Sequence, residues 1–249
     1  MTAMVVVGFG LAVGALIGCI GIGGVLLVPS LTFVGGVPIH DSVSASMFGY
    51  LFSGSMSAWI FARRGSIDWA SAAWLSAGAM PAAFLGAVLA AGTRAEILEA
   101  LIAAFVIYAG LRSLRRATGG AARSNLTTNA SLVLIGAATG IGSAMSGTGG
   151  PLLLVPTLMW LNLPILQVIG LGQAIQVPIG ALATAGNMVY GRIDFAFAGL
   201  LAVALLLGSL IGARLAHVVP TTFLTRLVGT VMLGVGALMA LRSLHALAT

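Results

Sequence analysis

Gly21-Ile22-Gly23-Gly24 interrupts a long apolar stretch near the start of the chain, and Gly147-Thr148-Gly149-Gly150 interrupts a second one 126 residues later. Neighbouring glycines do not sustain a helix well, because each costs about 1 kcal/mol relative to alanine. Pro151, which follows the second motif, lacks an N–H and suits the first turn of a new helix. We therefore predict that one helix starts at Val25 and another at Pro151.

Other landmarks recur at the same shift of 126 residues. Gly65-Ser66-Ile67-Asp68-Trp69 returns as Gly191-Arg192-Ile193-Asp194-Phe195, and Pro38-Ile39 returns as Pro164-Ile165. A shared shift is hard to obtain by chance, even in a chain rich in alanine, glycine and leucine. We predict two homologous halves joined by a linker: an N-terminal repeat over 1–118, the linker over 119–128 and a C-terminal repeat over 129–249.

The composition predicts a membrane protein. Of the 249 residues, 59% are hydrophobic and only 6% are charged, whereas a soluble domain carries about 25% charged residues. Continuous apolar runs such as Trp69–Ala91, Leu98–Leu114 and Phe195–Val219 have about the 20 residues with which a helix crosses the hydrocarbon layer. We predict an all-α polytopic membrane protein with the lipid bilayer as its partner.

Both halves divide in the same way. A long apolar stretch with the glycine-rich break comes first, a helix with Ser or Gln side chains follows, and two plainer helices complete the half. In order, these segments are 4–36, 42–62, 69–92 and 97–114 in the first half and 130–162, 166–190, 195–217 and 221–244 in the second. Asp68 and Asp194 stand at span boundaries, where we predict that they cap the helices that follow.

The first stretch of each half leaves two topologies open. Its roughly 33 residues would make a straight helix of about 50 Å, which is too long for one span and too short for two. If the stretch is a single discontinuous span, each half has four spans and the repeat is parallel. If it is a re-entrant hairpin, each half has three full spans and the repeat is inverted.

The basic residues predict the orientation in the membrane. All 11 are arginines, and the net charge is +6. In a membrane protein such residues set the orientation, so we expect no nucleic-acid partner. We assign two arginine-containing stretches between helices to the cytoplasm. The first contains Arg63 and Arg64. The second includes the linker over 115–129, and its arginines are Arg112, Arg115, Arg116 and Arg123. Both topologies place eight arginines inside, so the charges do not choose between them.

The two glycine-rich breaks predict the substrate site. A helix that starts inside the membrane exposes unpaired backbone N–H groups and the positive end of its dipole, which suit an anion. Broken helices at corresponding places of two repeats are typical of a transporter's binding site. We predict that Gly23, Gly24, Gly149, Gly150 and Pro151 bind the substrate. The alternative is that the glycines only let neighbouring helices approach closely.

The second helix of each half carries the remaining polar side chains. Ser46 and Tyr50 are four residues apart, and Gln173 and Gln176 are three apart, so each pair shares a helix face. Hydroxyl and amide donors suit an oxyanion, and we predict that these four side chains bind it. The alternative is hydrogen bonding between helices, which we favour for Ser53 and Ser57.

Ionisable groups are scarce in the apolar segments. His40 and Asp41 precede the second helix and are the candidates for proton coupling, with helix capping as the alternative. The sequence has no His/Cys/carboxylate cluster for a metal and no Ser/His/Asp set within the apolar core, groups that an intramembrane enzyme or a cation transporter needs. We therefore expect no metal, no cofactor and no enzymatic activity.

Four segments carry a resemblance to a known family: Gly21–Pro29, Ser44–Ser46, Gly65–Asp68 and Gly147–Pro156. In their order and spacing the chain resembles the TauE/SafE family of sulfite and organosulfonate exporters. The resemblance covers nearly the whole chain and implies a multi-pass protein of the bacterial inner membrane, with about eight transmembrane helices duplicated from a four-helix unit. The first copy lacks a proline directly after its glycines, which predicts two unequal half-sites.

Together these observations predict a secondary transporter that moves a small sulfur-containing oxyanion out of the cell. With the inside negative, the export of one anionic charge gains about 2.3 kcal/mol per 100 mV, so export needs no coupling ion. The alternatives are a channel-like pore for small solutes and a membrane scaffold without transport. The sequence does not fix the oligomeric state, and a homo-oligomer is compatible with it.

Overall fold

The computed structural model describes residues 3–31, 35–90, 107, 111, 128–161, 163–190 and 193–248. Regular structure in these ranges is helical. The helices are α1 (Ala3–Ile20), α2 (Gly24–Pro29), α3 (Ile39–Arg63), α4 (Trp69–Ala90), α5 (Asn129–Ser146), α6 (Pro151–Trp160), α7 (Ile165–Tyr190), α8 (Phe195–Ala216) and α9 (Thr221–Ala248). The predicted helix over 97–114 and most of the linker lie outside the described residues.

The predicted helix starts at the two breaks are confirmed. α2 begins at Gly24, one residue before the predicted position, and α6 begins at Pro151. Gly21 has a φ of 80°, and the second break has three glycines in this left-handed region: Gly147 at 70°, Gly149 at 81° and Gly150 at 108°. Side chains other than hydrogen rarely adopt these angles, so the glycines allow the chain to leave one helix and start the next.

The chain turns back on itself at each break. A Cβ atom at Gly23 would lie 2.6 Å from the carbonyl oxygen of Val13, although ten residues of straight helix would separate the two by about 15 Å. In the second break, Gly142 lies against the side chain of Leu153 in the same way. α2 therefore folds back along α1, and α6 folds back along α5, so that each first stretch is a helical hairpin.

The first helix of the chain packs against α8, which lies far away in sequence. Gly10 contacts the side chain of Leu201, and a Cβ atom at Gly14 would lie 2.5 Å from the carbonyl oxygen of Leu205. Glycine at these positions lets the two helix backbones touch, as in other closely packed membrane helices. Because the contacts advance together along both helices, α1 and α8 run in the same direction.

α5 and α4 make the corresponding contact. Gly136 lies against the backbone of Leu75, and Gly140 lies against the carbonyl oxygen of Ala79. At the shift of 126 residues, these four residues correspond to the four of the α1–α8 contact: Gly10, Gly14, Leu201 and Leu205. α4 and α5 therefore also run in one direction, and the first helix of each predicted half packs against a helix of the other half.

α3 runs in the same direction as α8. The ring centroids of Phe48, in the first half of α3, and Phe195, at the start of α8, are 6.0 Å apart, and those of Phe61 and His217 are 4.4 Å apart near the end of both helices. At this end, the side chains of Ser66 and His217 are joined by a hydrogen bond of 3.2 Å between Oγ and Nε2. The loop after α3 and the end of α8 therefore lie at the same end of the molecule.

α3 and α7 run in opposite directions. A Cβ atom at Gly180 would lie 3.2 Å from the carbonyl oxygen of Met47, and one at Gly170 would lie 3.3 Å from the ring of Phe61. α4 follows α3 through the short loop 64–68, where the carbonyl oxygen of Ser66 lies against Gly170 near the start of α7, and α4 packs against α7. α4 and α7 therefore leave this end side by side, and α4 also runs opposite to α3. As a result α1, α3 and α8 point one way, whereas α4, α5 and α7 point the other way.

The predicted aspartate caps are confirmed. Asp194 accepts hydrogen bonds from the N–H groups of Ala196 and Phe197 at 3.0 and 3.1 Å, ahead of α8. Asp68 accepts from the N–H of Ala70 at 3.2 Å and from the hydroxyl of Ser71. Both carboxylates thus satisfy N–H groups of the first helical turn, which have no partner inside the helix.

The outer surface carries many large apolar side chains. Two helices among the described residues, Ile165–Val189 and Phe195–Ala216, are long and apolar enough to cross a membrane. Several of the largest exposed side chains belong to these and neighbouring helices: Trp59, Trp69, Leu134, Trp160, Met188, Val189, Phe195, Val203 and Ile211. Inside, the buried side chains form two apolar clusters, one around α6 and α7 and one around α1, α3 and α8.

Candidate functional site

The two glycine-rich breaks meet in the interior of the molecule. A Cβ atom at Gly24 would lie 2.6 Å from the carbonyl oxygen of Thr148. Only glycine allows this approach, because any side chain would push the two backbones apart. The start of α2 and the turn before α6, which lie far apart in sequence, therefore form one continuous piece of irregular backbone.

Tyr50 connects the two breaks. Its hydroxyl donates a hydrogen bond to the carbonyl oxygen of Gly24 at 2.9 Å. Its ring lies against Gly149, where a Cβ atom would be 2.7 Å from the nearest ring carbon. The side chain is completely buried. The predicted site residue Tyr50 therefore lies between the breaks, with its hydroxyl proton already engaged by the protein.

Ser46, one helical turn before Tyr50, is also completely buried. Its hydroxyl donates to the carbonyl oxygen of Ser42 at 2.6 Å, within the same helix. Such a bond back to the preceding turn satisfies a hydroxyl proton without a ligand. A ligand at this position would meet the lone pairs of Ser46 and Tyr50 rather than their protons.

Gln173 joins the end of α1 to the start of α6. Its Nε2 atom donates to the carbonyl oxygen of Ile17 at 2.5 Å. A Cβ atom at Gly21 would lie 3.9 Å from this Nε2 atom and 3.5 Å from the Cβ of Pro151. The amide of Gln173 thus lies beside both breaks, with one of its two N–H groups bonded to the protein.

Gln176 lies one turn further along α7, against α3. Its Nε2 atom is 3.4 Å from the hydroxyl oxygen of Ser53, with which it forms a hydrogen bond between the two helices. A Cβ atom at Gly54 would lie 3.2 Å from the Cβ of Gln176. The expected interhelical hydrogen bond is therefore confirmed for Ser53, whereas the buried hydroxyl of Ser57 has no partner among the described residues.

Two buried amide oxygens and two backbone N–H groups near the breaks have no hydrogen-bond partner among the described residues. Among the described residues, nothing bonds the Oε1 atoms of Gln173 and Gln176, although both are buried. At the start of α6, the N–H groups of Leu153 and Leu154 both donate to the carbonyl oxygen of Gly150. The hydrogen bonds of the described residues use no N–H of Gly149 or Gly150. The region therefore offers both acceptors and donors.

The remaining predicted residues lie at different distances from this centre. Gly23 faces α1 rather than the second break. Asp41 lies in the first turn of α3, nine residues and therefore about 14 Å before Tyr50 along the helix. The side chain of His40 lies outside the described part of the chain. In that part, no three His, Cys, Asp or Glu side chains form a group that could hold a metal.

Sequence reasoning did not include Gly21, Gly147 or Thr148 in the site. Gly21 and Gly147 take positive φ angles that shape the breaks, and a repeated glycine at the end of an apolar run is the signal that could have identified them. The backbone carbonyl groups of Ile17 and Thr148 also belong to the region. No residue-type signal marks a backbone carbonyl, so these two groups could not be found from the sequence.

The sequence that forms these elements matches the model of one known family. The model of the sulfite exporter TauE/SafE family matches residues 6–239. The chain belongs to the TauE/SafE family. The match includes both breaks and all the predicted site residues.

The chain is also similar to two probable membrane transporter proteins. The chain is 25% identical over 218 residues to the probable membrane transporter protein YdhB of Bacillus subtilis, which covers 85% of this chain and 89% of that protein. It is 28% identical over 260 aligned residues to a probable membrane transporter protein of Xylella fastidiosa, with 96% and 95% covered. No solved structure matches the chain.

Proposed function

We propose that this TauE/SafE protein is a secondary transporter that exports a small sulfur-containing oxyanion, and that it binds the anion where the two breaks meet. The observation that carries the proposal is the contact between the backbones of Gly24 and Thr148, with Tyr50 and Gln173 beside it. The family description, sulfite exporter, and the names of both relatives support transport across a membrane.

Within this proposal, the start of α6 attracts the anion. Helix N-termini bind anions through free N–H groups and the positive end of the helix dipole. The ten-residue helix α6 starts at Pro151, directly after Gly149 and Gly150. α2 has only six residues and no proline at its start, which supports the prediction that the two half-sites are unequal. The binding groups carry no full charge, so the anion binds reversibly and can be released.

We further propose that the two halves, 1–118 and 129–249, form an inverted repeat in the membrane. The supporting observation is that α1 and α5 point in opposite directions, as do α3 and α7, and α4 and α8. Since each first stretch is a hairpin, each half then has three full spans and one re-entrant hairpin, in place of the four full spans that the family resemblance implied. The exposed apolar side chains of these helices suit contact with lipid.

The arginines support one orientation for this arrangement. The bond between Ser66 and His217 joins the loop that follows Arg63 and Arg64 to the end of α8, where Arg214 lies. Since arginines concentrate on the cytoplasmic side of a membrane, we place this end on the cytoplasmic side of the inner membrane, together with the linker over 115–129. Export then moves the anion from this end to the opposite one.

A flux assay with purified protein in liposomes tests the function. We expect saturable sulfite flux that increases when the compartment receiving the anion is positive. Gly24→Ala should reduce this flux strongly, because its Cβ would separate the two breaks, whereas the matched control Gly199→Ala has open space around its Cβ and should keep it. Flux that does not saturate would favour a pore, and an absence of flux would favour a scaffold.

A further inference from the structure

Gln173 is a buried polar side chain beside both breaks, and the described residues satisfy only part of its hydrogen bonding. Its exposed fraction is 0%, and its Oε1 atom has no partner among the described residues. A buried acceptor without a donor is costly, and most such atoms in native proteins have a protein, water or ligand partner. Because the amide of Gln173 lies beside both breaks, its unpaired oxygen points to a ligand.

The orientation of the Gln173 amide is fixed by its surroundings. Nε2 donates to the carbonyl oxygen of Ile17, which accepts a second bond from the N–H of Gly21 at 2.8 Å. If the amide were turned over, Oε1 would face this carbonyl oxygen, and two acceptors would be placed together. Oε1 therefore points away from Ile17, and as a carbonyl oxygen it can only accept a hydrogen bond.

Gln176 has no such restriction. Its amide contacts the hydroxyl of Ser53, which can donate as well as accept. Either orientation of the Gln176 amide is therefore compatible with α3. Gln176 can turn either its NH2 group or its oxygen toward a ligand, whereas the bond of one Gln173 N–H to Ile17 fixes which way the Gln173 oxygen points.

We propose that Oε1 of Gln173 accepts a hydrogen bond from an O–H or N–H group of the transported anion, so that the site selects a singly charged anion that carries a donor. This inference rests on the proposed function. The N–H groups of Gly149 and Gly150, which have no partner in the described part of the chain, take the anionic oxygens, and Gln173 takes the donor. Hydrogen sulfite in its O–H form fits this pattern, whereas the doubly charged sulfite ion has no donor.

Two stable anions distinguish a hydrogen bond to Oε1 of Gln173 from simple charge attraction. Sulfamate and methanesulfonate are singly charged at neutral pH and similar in size, but an amino group in the first replaces a methyl group in the second. We expect sulfamate to inhibit sulfite flux at least about tenfold better than methanesulfonate, because the latter leaves Oε1 unpaired. The same order is expected for the rise in unfolding temperature that each anion produces in detergent.

Variants of two glutamines on the same helix complete the test. Gln173→Met keeps the side-chain length without a polar group and should remove the preference for sulfamate, whereas the control Gln167→Met, on a half-buried residue, should keep it. Equal inhibition by the two anions in the wild type, or a preference that survives in Gln173→Met, would overturn the inference while sulfite flux persists. A wild-type protein without saturable sulfite flux would instead refute the proposed function.

Discussion

The hydroxyl of Tyr50 donates a hydrogen bond to the carbonyl oxygen of Gly24, while the same ring lies against Gly149. One side chain of α3 therefore contacts both glycine-rich breaks. A change in the distance between the breaks must move this ring or break this hydrogen bond. We expect the pair to hold the relative position of the two helix starts.

Tyr50→Phe tests the hydrogen bond without removing the ring. The carbonyl oxygen of Gly24 would lose its side-chain donor in a buried place, and we expect a loss of about 1 kcal/mol in the free energy of unfolding. Tyr50→Leu, which also removes the ring from Gly149, should lose more. Thermal unfolding in detergent measures both. Equal stability of Tyr50→Phe and the wild type would show that the bond contributes nothing.

The glycine contacts between the halves predict a matched pair of variants. Gly14→Leu and Gly140→Leu each place a side chain against a backbone carbonyl, of Leu205 and Ala79 respectively. Both should destabilise the protein by similar amounts, about 1–3 kcal/mol, because the helices are overpacked. The control Gly8→Leu is exposed, has open space at its Cβ and should be neutral. A large effect of only one of the pair would contradict the equivalence of the two contacts.

Labelling of single cysteines tests the proposed inverted repeat. In a Cys19→Ser background, we expect Arg64→Cys and Val218→Cys to react with a membrane-impermeant maleimide only from the cytoplasmic side. Ala196→Cys, at the start of α8, should react only from the opposite side. All three positions are exposed. A parallel repeat would place Arg64 and Val218 on opposite sides, so reaction of these two from different sides would exclude the inverted arrangement.

The cap of α8 predicts a purely structural effect. Asp194→Ala removes the acceptor for the N–H groups of Ala196 and Phe197, and we expect it to lower the free energy of unfolding by about 1 kcal/mol. Asp194→Ser retains an acceptor and should lose less. Both variants should transport sulfite normally when folded. A loss of flux in the folded Asp194→Ala protein would indicate a role for this carboxylate beyond capping.

Local features of this protein could be predicted well from its sequence. The helix starts at Gly24 and Pro151 and the caps at Asp68 and Asp194 depend on the backbone preferences of glycine and proline and on short-range hydrogen bonds. Such preferences act within a few residues and are visible in any single sequence. The polar residues of the candidate site could be proposed from the sequence because unpaired polarity is unusual in apolar helices.

The roles of those residues could not be predicted in the same way. Gln173 was expected to donate to an anion, yet one of its N–H groups bonds Ile17, and its oxygen has no partner in the part of the chain that the structure describes. The hydroxyl proton of Ser46 bonds its own helix. Which atom of a side chain is left over depends on backbone groups of distant segments, and those carry no sequence signal.

The glycine-rich stretches at residues 21–24 and 147–150 thus determined by themselves that the first helix of each half is broken, because glycine disfavours helix wherever it stands. The sequence did not determine whether the chain continues or turns back, since both paths satisfy the same local preferences. Only the tertiary structure decided this: Gly23 lies against Val13, and Gly24 lies against Thr148. The physical reason is packing, because close contact between backbones distant in sequence is possible only where both chains leave room for it.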